Sequence, residues 1–239
     1  EYYMGAFAIF QKFEEEEKKQ NELRRQLLNK GHKAKYTFDD IVGESQSMLK
    51  LKTLAKKMAK IDSDILITGE SGTGKELFAH AIHNYSNRKE FPFIAVNCAA
   101  IPETLLESEL FGYEEGAFTG AKKGGKIGFF EFAHKGTLFL DELEGMSPAL
   151  QVKLLRVIQE KEIMRIGGDK VINVDVRIIT TTNEELRKLV KEGKFRKDLY
   201  YRMCAFPLIV PPLRERKDDL YLLIEKFMRN SGGEFRFSS

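Results

Sequence analysis

A glycine-rich segment that ends in lysine is the strongest chemical signal in the sequence. Residues 69–75 read GESGTGK, which fits the phosphate-binding pattern G-x-x-x-x-G-K, between an apolar run at 65–68 and a segment of helical apolar spacing. In such a loop, backbone N–H groups and the positive end of the following helix replace the water that a polyphosphate loses, and the lysine adds a cation. The predicted phosphate-binding residues are Gly69, Glu70, Ser71, Gly72, Thr73, Gly74, Lys75 and Glu76.

One position of this loop departs from the general pattern. The residue after the lysine is normally Ser or Thr, whose hydroxyl helps to hold magnesium, but here it is Glu76. Other groups must therefore hold the metal. Asp141 and Glu142 follow the apolar run at 138–140, and successive residues at a strand end point in different directions. We therefore predict that Asp141 binds the metal and that Glu142 orients water.

Two asparagines follow predicted strands. Asn183 ends the β-branched run at 176–182, and Asn97 ends the strand predicted at 93–97. Because parallel strands bring their carboxyl ends to one edge of a sheet, we expect the Asn183 amide near the attacking water or the γ-phosphate and Asn97 within hydrogen-bonding reach of Glu142. The alternative for both residues is an asparagine that only stabilises a turn.

Two arginines, Arg196 and Arg202, flank the segment 197–201. Six residues apart, they do not share one helix face, so we do not expect both to contact a phosphate of their own site. An arginine that acts across a subunit boundary and neutralises charge in the transition state is one alternative. From the spacing alone, a surface salt bridge is favoured.

The composition limits the class of protein. A chain of 239 residues with 42% hydrophobic content can bury a full core, and no stretch approaches the roughly 20 apolar residues that cross a bilayer. The first residues lack signal-peptide character, so we expect a cytoplasmic protein. The net charge of +3 combines similar numbers of both signs and gives no support to nucleic-acid binding. Cys98 and Cys204 have no companion at metal-ligand or redox spacing and are predicted to be buried, reduced thiols.

The order of predicted elements indicates an α/β fold. Helical segments lie between predicted strands, and this alternation is typical of a doubly wound parallel sheet. Residues 14–35 form a charged segment with helical spacing in its second half, which suits either a signalling helix or a solvated linker. The five predicted strands lie at 65–68, 93–97, 137–140, 176–182 and 205–210.

Five stretches together carry a family resemblance. They read GESGTGKE at 69–76, GAFTGA at 116–121, GTLFLDE at 136–142, FRKDLYYR at 195–202 and PPLRER at 211–216. In these motifs, the chain resembles the central ATPase domain of bacterial sigma-54-dependent transcriptional activators, a branch of the AAA+ superfamily. The resemblance implies an AAA+ core at 36–212 and the start of a truncated helical lid at 213–239. Residues 1–13 resemble the end of a PAS-type sensory domain, followed by a linker helix at 14–35.

The resemblance also implies a function and roles for residues. It implies a ring, hexameric or heptameric, that uses ATP and Mg²⁺ to remodel the closed promoter complex of the sigma-54 form of RNA polymerase. DNA binding is expected only through a domain outside this chain. Asn97 and Glu142 would form the switch that senses the γ-phosphate, Asn183 would be the first sensor, and Arg196 and Arg202 would be the arginine fingers that act in trans.

The loop at 116–121 is the implied mechanical output. Glycines at both ends of an exposed Phe-Thr pair make a flexible tip whose aromatic ring suits a partner, and the alternative is a phenylalanine tucked back onto its own domain. By the resemblance, Phe118 and Thr119 would touch sigma-54, and the loop with Gly167-Gly168 would move with the tip. The residues of this loop are Gly116, Ala117, Phe118, Thr119, Gly120 and Ala121.

The chain also departs from the family pattern. Lys135 stands where the family usually has glycine, and Glu144-Gly145 stands where it usually has Gly-Asp. We expect neither change to touch a proposed catalytic atom. Two rival functions stay open from the sequence: a small-molecule kinase built on the same loop, which would give the 116–121 loop no purpose, and a scaffold that binds ATP without hydrolysing it.

Overall fold

A computed structural model describes residues 32–204 and 207–230 of the chain. The segment predicted to end a sensory domain, at 1–13, and most of the predicted linker helix at 14–35 lie outside the described residues. No helix in the described part has the length and apolar character that crossing a membrane requires.

Strands and helices alternate along the described chain. Short 3₁₀ helices occupy Phe38–Asp40, Leu143–Gly145, Leu213–Glu215 and Lys217–Asp219. The other elements are, in order, α1 (Gln46–Ala59), β1 (Ile65–Thr68), α2 (Lys75–Asn84), β2 (Phe93–Asn97), α3 (Glu103–Phe111), β3 (Gly112–Tyr113), β4 (Lys126–Ile127), α4 (Phe129–Phe132), β5 (Thr137–Asp141), α5 (Pro148–Glu160), β6 (Glu162–Met164), β7 (Val171–Asn173), β8 (Arg177–Thr182), α6 (Leu186–Lys191), α7 (Lys197–Met203), β9 (Pro207–Ile209) and α8 (Leu220–Asn230).

Five strands form one parallel sheet in the order β2-β5-β8-β1-β9. The predicted α/β fold with a five-stranded parallel sheet is therefore confirmed. In this order, β1 is flanked by β8 and β9, so the loop after β1 opens at the carboxyl edge beside the ends of these two strands. The register pairs Asn97 directly with Asp141 at the ends of β2 and β5. The sheet thus gathers the predicted polar residues along one edge.

Apolar side chains cover both faces of the sheet. Alternation along a strand sends Ile65 and Ile67 to one face and Leu66 to the other. The first face packs on α1 and α2, for instance through Met48 and Phe78, whereas the second packs on α3, α5 and α7. Each half of the core consists of buried apolar side chains, and such close packing holds the strand ends that carry the polar residues in fixed positions.

A buried aspartate joins the last described helix to the first one. Asp219, at the entry to α8, accepts hydrogen bonds from the Glu44 and Ser45 backbone N–H groups and from the Ser45 hydroxyl, each at 2.7 Å. Burial alone would raise the pKa of Asp219, but these bonds hold it below its ordinary value. Because unpaired N–H groups at a helix start are costly when buried, this contact fixes α8 against the N-terminal end of α1.

Candidate functional site

The glycine-rich loop connects β1 to α2, as the sequence predicts. Gly74 has a φ of +97°, a left-handed conformation that favours glycine, and α2 begins at the next residue. The Lys75 side chain is buried and its ammonium donates to the carbonyl oxygens of Gly69 at 2.8 Å and Glu70 at 2.9 Å, and to Asn183 Oδ1. Burial lowers the pKa of Lys75, and nearby carboxylates act against that shift. The loop therefore holds its cation at the carboxyl edge of the sheet.

Hydrogen bonds join Lys75, Asn183, Glu142, Asn97 and Asp141 into one group, here called the carboxyl-edge cluster. Asn183 bridges Lys75 and Glu142: its Oδ1 accepts from the Lys75 ammonium, and its Nδ2 donates to Glu142 Oε1 at 3.0 Å. Asn97 Nδ2 donates to Glu142 Oε2 at 3.1 Å and lies 3.4 Å from Asp141 Oδ2. Two amides therefore orient the Glu142 carboxylate, one from each neighbouring strand end.

The backbone at Glu142 is strained. Its φ of +53° and ψ of +56° lie in the left-handed region, which costs a residue with a Cβ atom about 1–2 kcal/mol. Thr181 stabilises this bend, because its hydroxyl accepts from Glu142 N at 3.2 Å and donates to Asp141 Oδ1. Such strain is common where a side chain must be aimed at a reacting group. Sequence reasoning misses Thr181, since it reads as one of three similar residues in a buried strand.

The described residues include no group of three His, Cys, Asp or Glu side chains arranged to hold a metal ion. Mg²⁺ at phosphate sites commonly takes only one or two carboxylates, with phosphate and water oxygens completing its shell. Asp141, at the cluster, suits this arrangement. Glu76 does not join the cluster in the described structure: its side chain is 63% exposed and lies 3.5 Å from His80 Nε2.

A cavity of about 500 Å³ adjoins the loop. The loop residues 70–74 form one wall, Ile41 and Val42 add apolar surface, and the segment 212–216 closes the other side. This volume lies in the range of small-molecule sites, and the combination of apolar walls with a phosphate loop suits a nucleotide.

Two arginines of the predicted lid segment hold the loop from across this cavity. Arg214 makes a two-pronged ion pair with Glu70, with N–O distances of 2.5 and 2.6 Å. The buried Arg216 donates to the Thr73 carbonyl at 3.0 Å. Sequence reasoning gives neither arginine a role, because their partners lie about 140 residues away and only the folded chain brings them together.

The 116–121 loop and the loop with Gly167-Gly168 are joined at their bases through backbone hydrogen bonds. Ile166 N donates to Gly112 O and Glu114 N donates to Ile166 O, both at 3.0 Å. Arg165 adds ion pairs to Glu131 and to Glu114. The hairpin β6–β7 and the base of the β3–β4 hairpin are therefore fastened together, with Gly167 packed against Ala117.

Phe118 is neither fully exposed nor buried in the domain. The side chain is 46% exposed, and its ring meets Tyr113 edge-on at a centroid distance of 4.9 Å. The neighbouring Thr119 and Gly120 are exposed, and Ala121 N donates to Phe118 O at 3.1 Å to close a turn. The loop thus presents half of an aromatic ring at its tip.

Neither predicted arginine finger hydrogen-bonds to the carboxyl-edge cluster within the described residues. Arg196 pairs with Asp198 at 2.7 Å, both half exposed. Arg202 is exposed and lines a charged cavity of about 230 Å³ with Asp64, which precedes β1, and Arg177, which begins β8. Arg202 therefore lies at the amino edge of the sheet, opposite the cluster.

The two cysteines are free thiols. Cys98 is buried, which raises the pKa of its thiol to about 12, so this group stays protonated at neutral pH. Cys204 is half buried, and burial raises the pKa of its thiol as well.

Glu144 touches the cluster in a way that sequence reasoning misses. Its Oε1 accepts a hydrogen bond from the Asn183 backbone N–H at 2.8 Å. From the sequence we expect the change at Glu144 to touch no proposed catalytic atom, but Glu144 does contact Asn183, a residue of the predicted catalytic set, through the Asn183 main chain. The sequence could not indicate this contact, because Glu144 and the Asn183 main chain lie 39 residues apart and a main-chain N–H leaves no mark in the residue type.

Comparisons with known proteins agree on one family. A family model described as the sigma-54 interaction domain matches residues 41–209. A signal-transduction and transcriptional-control protein of Clostridium beijerinckii is 58% identical over 85% of this chain and 32% of its own length, and a Nif-specific regulatory protein of Herbaspirillum seropedicae is 53% identical over 89% and 39%. The chain thus spans about a third of the length of these relatives.

Solved structures resemble the fold. NtrX from Brucella abortus in complex with ATP is 42% identical, with a TM-score of 0.74 over 80% of this chain and 41% of the NtrX chain, and a complex with ADP matches equally well. Hsp104 with a bound ATP analogue and casein is 19% identical with a TM-score of 0.58 over 93% of this chain and 40% of its own, which indicates a shared fold alone.

The contact between the two loops predicts a difference between two glycine substitutions. Gly167 and Gly193 have φ values of +74° and +72°, but a Cβ at 167 would lie 2.7 Å from Ala117 Cβ, whereas a Cβ at 193 would meet nothing within 4 Å. We expect Gly193→Ala to lower the free energy of unfolding by about 1–2 kcal/mol through backbone strain. Gly167→Ala should cost about 1–3 kcal/mol more through the clash. Urea unfolding measures both, and equal losses would show that the loops do not press on each other.

Proposed function

The chain belongs to the sigma-54 interaction domain family, and from this membership we propose that it is the ATP-hydrolysing motor of a sigma-54-dependent transcriptional activator. In this proposal, it acts as a ring of identical subunits, a hexamer or heptamer, that remodels the closed complex of sigma-54 RNA polymerase. The ATP and ADP complexes of the related NtrX support nucleotide as the ligand.

The carboxyl-edge cluster carries the proposal. Lys75 sits where the outer phosphates of a bound nucleotide lie in a phosphate loop, and Asn183 connects it directly to Glu142. Glu142 is the carboxylate available to orient an attacking water, and its two amide partners hold it in one orientation. Asp141 would hold Mg²⁺, which, when bound, neutralises charge that develops on the phosphates. A nucleotide site without turnover would not need a strained, doubly oriented carboxylate beside its lysine.

Asn97 offers a connection from this cluster to the output loop. Its side-chain oxygen accepts from the N–H groups of Ala99 and Ala100, both at 2.9 Å, while its amide donates to Glu142. The chain then runs through α3 directly into Gly112 and the 116–121 loop. In the proposed cycle, Glu142 releases or regains Asn97 as the γ-phosphate is lost or bound, and α3 carries that shift to Phe118 and Thr119. These two residues would contact sigma-54.

Replacing Glu142 by glutamine tests the proposed hydrolysis. Glu142→Gln keeps the shape of the side chain but removes the base, so we expect turnover to fall by about 100-fold or more while ATP affinity stays within about threefold. Phosphate release and calorimetric titration with ATP measure the two effects. Glu160→Gln, at an exposed site at the end of α5, is the control and should change neither. Unchanged turnover in Glu142→Gln would remove the water-orienting role.

Replacing Phe118 by alanine separates the motor from its output. We expect Phe118→Ala to keep its ATPase rate within about twofold, because the ring touches Tyr113 and not the cluster, yet to abolish open-complex formation. Potassium permanganate footprinting on a sigma-54 promoter, with the full-length activator, measures how much of the promoter DNA is opened. Tyr85→Ala is a matched control, since Tyr85 is 44% exposed at the end of α2. Normal promoter opening by Phe118→Ala would defeat the proposed contact.

We take Arg202, which lies away from the cluster of its own chain, as the first candidate for a finger in trans, so that activity would need two subunits at each site. Arg202→Ala lacks the finger and Glu142→Gln lacks the base, so each should be inactive alone. Mixed in equal amounts, they should recover part of the wild-type rate, because a Glu142→Gln subunit can donate its arginine to an intact neighbouring site. Arg229→Ala, an exposed arginine paired within α8, is the control. A finger in trans would be excluded by two results together: mixtures of the two variants recover no ATPase activity at any ratio, and the wild-type rate per subunit does not depend on protein concentration. The same mixing with Arg196→Ala decides between the two arginines.

A further inference from the structure

Glu144 occupies an unusual position beside the cluster. It lies in the 3₁₀ turn Leu143–Gly145 that directly follows Glu142, and Oε1 accepts from Asn183 N at 2.8 Å. Its second oxygen, Oε2, is shielded from solvent and has no hydrogen-bond partner within the described structure. A shielded carboxylate oxygen without a donor lowers the stability of the fold. We therefore expect the hydrogen bond of Oε1 to serve the structure of the site.

The Asn183 backbone N–H has no partner in the sheet. The ladder between β5 and β8 ends at the pair Leu140–Thr180, and the ladder between β1 and β8 ends at Thr68–Thr182. The N–H of Asn183 therefore lies beyond the last paired residue of its strand, and a partly buried N–H needs a partner from elsewhere. The Glu144 carboxylate is that partner. Hydrogen bonds to a charged acceptor are stronger than neutral ones, so this contact fixes the start of the turn after β8.

The fixed residue is the one whose side chain joins the lysine to the water-orienting carboxylate. Asn183 reaches Lys75 with its oxygen and Glu142 with its nitrogen, and it can do both only while its backbone stays in place. Glu144 also adds a negative charge near Lys75. The geometry thus ties two neighbouring acidic residues to one asparagine, Glu142 to the side chain and Glu144 to the backbone.

We propose that Glu144 is a positioning residue of the ATPase: by accepting the Asn183 N–H, it holds the Asn183 amide between Lys75 and Glu142. This inference rests on the proposed function for its effect on turnover. The acceptor is the required feature and the charge only strengthens the bond, so a neutral acceptor at the same place can largely replace the carboxylate. Glu144 acts through Asn183, and its side chain makes no hydrogen bond to Lys75 or Glu142 within the described structure.

Two substitutions separate the acceptor from the charge. Glu144→Ala removes the acceptor, and we expect kcat to fall about tenfold with the KM for ATP within about twofold, because orientation at the chemical step is lost and phosphate binding is not. Glu144→Gln keeps an oxygen for the Asn183 N–H, and kcat should stay within about threefold of the wild type. Glu160→Ala is the control for removing a carboxylate. A fall in Glu144→Gln as large as in Glu144→Ala would overturn the acceptor role in favour of charge.

A double-mutant cycle tests whether Glu144 acts through Asn183. Asn183→Ala removes the bridging amide, so adding Glu144→Ala to it should lower kcat by less than about twofold further. A further tenfold loss in the double variant would show that Glu144 acts by another route and would overturn the proposal.

Amide exchange tests the contact without any hydrolysis. Hydrogen exchange at the Asn183 N–H, resolved by NMR on the whole chain, should speed up about tenfold or more in Glu144→Ala and stay near the wild-type rate in Glu144→Gln. Unchanged exchange in Glu144→Ala would overturn the proposal even if turnover falls. If the wild-type chain assembles, binds ATP and never hydrolyses it while the exchange result holds, the proposed function fails and the positioning contact stands.

Discussion

A buried ammonium group governs the carboxyl edge of this protein. A charge taken out of water must be surrounded by acceptors, and Lys75 finds them in two carbonyls of its own loop and in the side chain of Asn183. The contacts with the two carbonyls close the loop around the ammonium, and the contact with Asn183 connects the loop to the end of β8. Because Asn183 then donates to Glu142, the orientation of that carboxylate follows from where the lysine lies. A phosphate that attracts the lysine therefore perturbs the whole cluster.

Buried charges also link the far wall of the cavity to the glycine-rich loop beside it. Arg216 is buried with one nitrogen, Nε, lacking a partner within the described residues, and it still donates to the carbonyl of Thr73 in the loop. Burial lowers the pKa of Arg216, and the nearby Asp219 acts against that shift. Asp219 in turn holds the start of α1. The segment 212–219, the first helix and the glycine-rich loop thus share two buried charges, so a movement of one disturbs the hydrogen bonds of the others.

The sequence predicts which residues form the site better than it predicts the contacts that hold them in place. Strand-end positions and residue types are enough to bring Asn97, Glu142 and Asn183 together, because parallel strands place their carboxyl ends at one edge. The strand order depends on pairs of strands that lie between 40 and 141 residues apart in the sequence, and the cavity wall at 212–216 depends on contacts across more than 140 residues. No local pattern records either. Main-chain contacts are hidden as well. Lys135 has a φ of +63°, so the glycine usual at that position in the family corresponds to a left-handed backbone that this chain adopts at a cost of about 1–2 kcal/mol.

The transmission of force in the proposed motor depends on stiffness beyond the cluster. A shift at Asn97 reaches the tip only if α3 and the two loops move as one body, since a flexible joint would absorb it. The backbone bonds between Ile166 and the β3 strand, with the Arg165 ion pairs, supply that stiffness at the base of the output loop. Beyond this base lies the turn that carries Phe118, whose half-exposed ring meets Tyr113 edge-on. An edge-to-face contact is worth about 0.5–1.5 kcal/mol, so in the proposed motor a partner could draw the ring away from Tyr113 at small cost, while the rigid base would determine how far that partner moves.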